Sequence, residues 1–216
     1  MGLLISLTRA RIFAGGLFGV LLVAATPDRA TDCTPTRSGW DAPVLQMELQ
    51  KSDGVETLFL EGRIGPDLPM RLKALLADHP DIGEIHFNAS GDDRNSAMEA
   101  GRILRSAGNF VVHVPPGAGC TGACALLFLS GRIRSVDPTA VFDLGQFYEP
   151  TATSVSSADI ARQSLGISDY LIRMGVSRRL LTGTLDRDTA STDAAPQRRC
   201  LTPEELHGYN VANWNE

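Results

Sequence analysis

The chain has 216 residues, 43% of them hydrophobic and 21% charged, which is enough apolar mass for one well-packed domain and too little length for two sizeable ones. That balance excludes a largely disordered chain. The formal charge is −5, and since the first thirty residues hold three arginines against one aspartate, the remainder is more acidic still; it has no net attraction for phosphate backbones, which argues against a nucleic-acid partner.

Arg9 and Arg11 precede an apolar run at 12–25, shorter than the roughly 20 residues of a membrane span. A positive start, an apolar middle and then small residues form the layout of a secretory signal, with Val23 and Ala25 at the two small positions before a cut. Residues 1–25 are therefore read as a signal peptide, 26–42 as a linker rich in Thr, Pro, Asp and Ser, and 43–216 as the domain. The expected location is the periplasm, with no stable membrane insertion once the signal is removed.

Leu45, Met47 and Leu49 alternate with polar neighbours, the period of a half-buried strand, and Leu58, Leu60, Gly62 and Ile64 repeat that pattern in a second one. Asp67 is placed to cap a helix whose Leu68, Leu72, Leu75 and Leu76 share a face and which ends near His79-Pro80. Ile85, Phe87 and Ala89 mark a strand, Ala97, Gly101, Leu104 and Ala107 a helix closed by Gly108, and Phe110, Val112 and Val114 another strand. The apolar segment 123–130 predicts a buried helix stopped at Gly131, and 140–147 a strand after the turn signal Asp137-Pro138. A long helix is expected over 157–174, opened by Ser156 and Asp159 as a capping box and stopped at Gly175, and a last one begins at Thr202-Pro203-Glu204-Glu205. Strands alternating with helices give an α/β domain.

The centre of the chain, Pro115 to Cys124, is rich in glycine. Gly117, Gly119 and Gly122 fit the dinucleotide fingerprint, with Asp143 about twenty residues on as the ribose-binding acid. Two prolines between strand and turn, a short following helix and export of the chain all weigh against that cofactor, and no cofactor is expected. Cys33, Cys120, Cys124 and Cys200 allow three full pairings in an oxidising compartment, and spacing does not choose among them. At least one disulfide involving Cys120 or Cys124 is expected. Two cysteines with only His113 near them in sequence are too few for a metal site, so no metal is expected.

Longer stretches carry a more specific signal. Phe87-Asn88-Ala89-Ser90-Gly91-Asp92-Asp93 followed by 97–105, then 114–131, 140–148 and Leu201-Thr202-Pro203-Glu204-Glu205-Leu206 resemble, in order and spacing, exported proteins related to the Clp protease proteolytic subunit. The resemblance implies a Clp/crotonase-like ββα spiral domain. It also implies where peptidase chemistry would sit: a serine at the start of the buried helix, a histidine on the next strand and an aspartate before the last helix. In this chain those positions are Gly122, Gly145 and, less securely aligned, Arg198. Glycine supplies neither nucleophile nor base, which leaves only backbone donors: the N–H groups of Gly91 and Ala123 could line an oxyanion-like pocket. Asp92 adds an opposing negative charge there.

The reading that follows is a non-catalytic pseudoenzyme that binds a peptide or protein partner along the old substrate groove. An alternative is a hydrolase with relocated residues, drawing on Thr121 with His86 or His113, and a third is the dinucleotide-binding module. The 157–174 helix corresponds to the part that assembles Clp-type subunits, so Tyr170 and Ile172 either face a second protomer in a homo-oligomer or pack on the chain's own sheet.

Overall fold

The computed structural model describes residues 33–52, 54–145, 157–183 and 200–214. Strands β1 (Gln46–Ser52) and β2 (Val55–Arg63) form an antiparallel hairpin turned at Gly54, whose φ of +86° suits glycine. Helix α1 (Leu68–Asp78) returns the chain to β3 (Ile82–Ser90), and α2 (Arg94–Ala107) returns it to β4 (Val111–Val114), each strand parallel to its predecessor. Then come β5 (Gly119–Thr121), α3 (Ala123–Phe128), β6 (Ile133–Val136), β7 (Val141–Asp143) and α4 (Ser157–Arg173), with a short helix at 179–183 and a closing helix, Pro203–Gly208. The main sheet runs β1-β2-β3-β4-β6, while β5 branches off the end of β3 and carries β7.

One face of the sheet is the core. Leu58, Leu60, Ile85, Phe87, Val112 and Val114 are buried on it, against Leu68 and Leu72 of α1 and Ala97, Ala100 and Leu104 of α2. All of α3 is buried, and Phe128 packs edge-on between Phe87 and Phe142, at 5.7 and 5.2 Å between ring centres. Small residues on the α2 side let helices approach closely: a Cβ on Gly101 would run into the Tyr170 hydroxyl.

Where α3, α4 and the closing helix end, their carbonyls converge on two arginines. Arg134, 2% exposed on β6, donates from Nε to Val211 O (2.8 Å), from Nη1 to Gly131 O (2.7 Å) and Met174 O (3.4 Å), and from Nη2 to Asn210 O (2.8 Å). Arg105 reaches Ser130 O, Gly131 O and Met174 O from α2. Burial, with Arg105 nearby as a lesser cause, lowers the Arg134 pKa to about 10, so it remains a cation at neutral pH. Helix C-termini carry partial negative charge, which is what such a cation needs.

Several expectations change. Asp67 makes no cap bond; its carboxylate pairs with Arg71 at 3.2 Å instead. Gly108 does close α2, in an extended conformation (φ 178°). The expected strand at 140–147 is ordered as β7 over three residues, and 146–156 lie outside the described residues, as does the cap at Ser156. Gly175 does stop α4, at φ +73°, with the Val176 N–H on Leu171 O and its own on Ile172 O. The Thr202 capping box is present in full. The stretch read as linker is packed from Cys33 onward: Arg37 N donates to Gly117 O at 2.8 Å and Asn88 Nδ2 to Ser38 O at 2.8 Å. Tyr170 does not face outward either. It is fully buried, its hydroxyl donating to Leu126 O at 2.8 Å, its pKa raised by burial, and Arg102 lies over its ring at 5.6 Å. Ile172 and Leu165, by contrast, are exposed.

Candidate functional site

Strand β5 ends at Thr121 and α3 begins at Ala123, so Gly122 sits on a strand-to-helix elbow with φ +62° and ψ −119°. That is a conformation only glycine adopts without strain. Its N–H donates to Asp143 O at 2.9 Å, which ties the elbow to the end of β7. Two residues on, Gly145 also has a positive φ (+70°), and a Cβ there would stand 3.2 Å from the Cα of Gly122. The fold therefore brings together Gly122 and Gly145, the two positions that the resemblance matched to a serine and a histidine. Arg198 lies outside the described residues.

One of the two expected oxyanion donors is occupied. The Ala123 N–H donates to Gly91 O at 2.7 Å, so that donor is consumed within the chain, and a Cβ on Gly122 would overlap the same carbonyl oxygen. Gly91 makes this possible with a φ of +152°. The Asp92 carboxylate turns away to Arg63, 2.7 Å from Nη1, and both side chains are well exposed. Around the elbow the remaining polar groups are buried: Ser90, whose hydroxyl has no hydrogen-bond partner among the described residues, then Thr121, and Asp143, whose Oδ1 accepts the Gly145 N–H at 3.0 Å. Asp143 is thus a wall of this site, not the distant acid of a nucleotide fold.

The relocated-base alternative does not fit. His86 and His113 are register partners on β3 and β4, their rings 5.2 Å apart, with His113 Nδ1 2.7 Å from Ser135 Oγ and His86 Nε2 3.3 Å from Glu84 Oε2. Ala89 is the partner of Cys120, which puts Thr121 level with Ser90. Four residues of strand separate His86 from that level, about 13 Å at 3.3 Å per residue, far beyond hydrogen-bond reach.

The glycine fingerprint has another use. Side chains on Gly117 and Gly119 would strike Thr36 and Pro35, so these glycines admit the chain's own segment 33–42, and β5 intervenes between β4 and the helix where a pyrophosphate loop would have to run. The same segment is fastened by Cys33–Cys200 (Cα–Cα 5.4 Å), and Cys120–Cys124 (5.2 Å) clips β5 to α3, both within the usual span of a disulfide. Cys120 lies in the strand before the elbow, which is what allows a bridge to Cys124. Among the described residues no group of three or more His, Cys, Asp or Glu is arranged to hold a metal ion, and no helix is long and apolar enough to cross a membrane.

Sequence reasoning missed the space beside this elbow. Between the first turn of α2 and the middle of α4 lies a cavity of about 360 Å³, lined by Asp92, Asp93, Arg94, Asn95, Met98, Arg162, Gln163, Gly166 and Ile167. Its contributors come from two separate helices, and only the run of polar residues at 92–95 marks it in the sequence.

No protein-family model matches the chain, and no curated protein matches it. Solved structures do. ClpP1 from Listeria monocytogenes is similar with a TM-score of 0.50 at 16% identity, covering 72% of this chain and 88% of that one. An enoyl-CoA hydratase from Polaromonas sp. JS666 gives 0.48 at 14% identity over 77% and 68%, and an enoyl-CoA hydratase/isomerase from Marinobacter aquaeolei 0.47 at 11% over 77% and 68%. With its hairpin, parallel crossovers and elbow at the start of a buried helix, this chain has the Clp/crotonase-like α/β fold.

Proposed function

We propose that the chain is an exported, non-catalytic member of this fold that binds a peptide or protein partner on the surface beside its former catalytic centre. One observation carries the reading: the Gly91 carbonyl takes the Ala123 N–H and fills the place of a side chain on Gly122, against which Gly145 is packed. Acyl transfer needs a nucleophile, a base and free oxyanion donors at one point. Here the positions of the first two are glycines and one of the two expected donors is occupied. Two disulfides support the export half of the reading, since such bonds persist in oxidising compartments. Self-association through the outward face of α4, where Leu165 and Ile172 are 71% and 57% exposed one heptad apart, belongs to the same reading.

Incubation with a fluorophosphonate probe and intact-mass measurement tests the absence of catalysis: no adduct is expected, and stoichiometric labelling would overturn it and identify a nucleophile. Cell fractionation is expected to find the protein in the periplasm with its N-terminus at Thr26 and no titratable thiol. Four reactive thiols in a cytoplasmic fraction would refute export.

A further inference from the structure

The two disulfides sit in different surroundings. Cys120 and Cys124 are fully buried on either side of the elbow. Cys33 and Cys200 are only half-buried, and their bridge joins positions 167 residues apart. Thiol–disulfide exchange requires a thiolate to reach a sulfur, so burial protects the first bridge and leaves the second open to attack.

The second bridge fastens a strap, 34–41, that runs from Cys33 over Gly117 and Gly119 towards β1. The strap's own hold is slight. Thr34, Thr36, Arg37, Ser38 and Asp41 are exposed, and of its residues only Pro35 is buried. Arg37 N–H on Gly117 O and Asn88 Nδ2 on Ser38 O tie it to the sheet. The Arg37–Glu61 pair, at 4.0 Å with both side chains nearly half exposed, adds little. A segment with so little buried surface opens at low free energy once its fastening is gone.

The Cys200 end is held differently. Next to it the Leu201 N–H donates to Phe142 O at 3.0 Å, the Thr202 capping box fixes the closing helix, and Leu206, Val211 and Ala212 are buried in the core. Under the strap, Asn88 has bonds of its own to the sheet: Oδ1 accepts the Gly119 N–H at 3.1 Å and Nδ2 donates to Glu61 Oε2 at 3.1 Å. The body of the domain is therefore tied together without the bridge, and the strap is the part that moves when the bridge opens.

We propose that Cys33–Cys200 is a redox-sensitive fastening: a reduced dithiol opens it, frees the strap and uncovers the surface at Gly117 and Gly119, while Cys120–Cys124 stays closed. One thiolate of the dithiol attacks a sulfur of the bridge, forming a mixed disulfide and expelling the other cysteine as a thiolate; the second thiol of the reagent then closes its own disulfide. Cys33 and Cys200 gain two electrons and two protons, and the dithiol loses them.

The test exposes the full oxidised chain, under native conditions, to increasing dithiothreitol, traps thiols with iodoacetamide and locates them by peptide mass spectrometry. Cys33 and Cys200 are expected to react together, about tenfold or more faster than Cys120 and Cys124. Residue-resolved hydrogen exchange on the same samples is expected to speed up about tenfold or more at the Arg37 amide and to stay unchanged at Gly119 and Leu201. The Cys33→Ser, Cys200→Ser double variant is expected to show that exchange pattern with no reductant present. All four cysteines reacting together, Cys120 and Cys124 reacting first, or no reaction at Cys33 and Cys200 overturns the inference. An Arg37 amide that keeps its protection after reduction overturns it too, because the strap is then held without the bridge. Loss of protection at Gly119 and Leu201, or a double variant that does not fold, does the same, because the whole domain then needs the bridge.

Discussion

Two places in the molecule solve the same problem in opposite ways. At the junction of three helix ends, buried carbonyls are satisfied by long side chains: Arg134 and Arg105 together donate to Val211, Asn210, Met174, Gly131 and Ser130. At the elbow, buried backbone groups are satisfied by backbone alone, with Ala123 on Gly91 and Gly122 on Asp143, and it is the lack of side chains at 91, 122 and 145 that lets the strands and helix close on each other. The first arrangement depends on two side chains being present. The second depends on three being absent, so that closure there comes from backbone groups meeting directly.

Removing the side chain from the first region is expected to do the most damage. Arg134→Met leaves the Val211 and Asn210 carbonyls without their arginine donor while Gly131 and Met174 keep Arg105; at about 1–3 kcal/mol for each unsatisfied acceptor, a loss of about 2 kcal/mol or more is expected in urea unfolding. Arg134→Lys should recover little, because an ammonium cannot reach carbonyls spread on opposite sides of a guanidinium. A loss below 1 kcal/mol for Arg134→Met would mean that the helix ends hold each other without it.

Adding side chains to the second region is the reciprocal change. Gly122→Ser places a Cβ at φ +62° and into the Gly91 carbonyl, and strain of this kind costs of order 1–3 kcal/mol. The Gly122→Ser, Gly145→His double variant is expected to be less stable than the parent and still inert to a fluorophosphonate, because Ala123 N–H remains tied to Gly91 O. Hydrolytic activity in the double variant would show that the Gly91 peptide moves aside readily and that closure is not a barrier.

The contrast also separates what could be read from the sequence from what could not. Period and punctuation located β1 to β4, α1, α2 and the Thr202 cap, because each depends on neighbours within a few residues. The pairing of Gly122 with Gly145 followed from resemblance, since glycine itself carries no chemical signature. β5 and β6 were missed because three or four residues show no period, and Ile133–Val136 places an arginine where a buried strand should be apolar. Its burial makes sense only once helix ends from residues 131, 174 and 210 are brought to it. Likewise, the Gly91 carbonyl takes the Ala123 N–H through the orientation of one peptide plane, which sequence does not encode locally, and the turn of Tyr170 towards Leu126 is decided by a helix separated from it by more than forty residues.

That tyrosine gives a smaller test of the side-chain strategy. Tyr170→Phe strips the hydroxyl from Leu126 O in a fully buried setting, and a loss of about 1–2 kcal/mol is expected from the unsatisfied carbonyl. No change would mean that the hydroxyl contributes nothing to the stability of this junction.

The smallest effect should fall on a glycine that is not needed for closure. Gly166 differs from Gly122 in every respect that matters: it is exposed, lies inside a regular helix, and has no described residue near the position of its Cβ. Gly166→Ala should therefore stabilise the protein by about 0.5–1 kcal/mol, the ordinary gain of alanine over glycine in a helix, whereas Gly122→Ala should lose stability. Differential scanning calorimetry on the two variants reads the opposite signs directly. If Gly166→Ala lowered the melting temperature as well, the helix would be requiring glycine for its own packing.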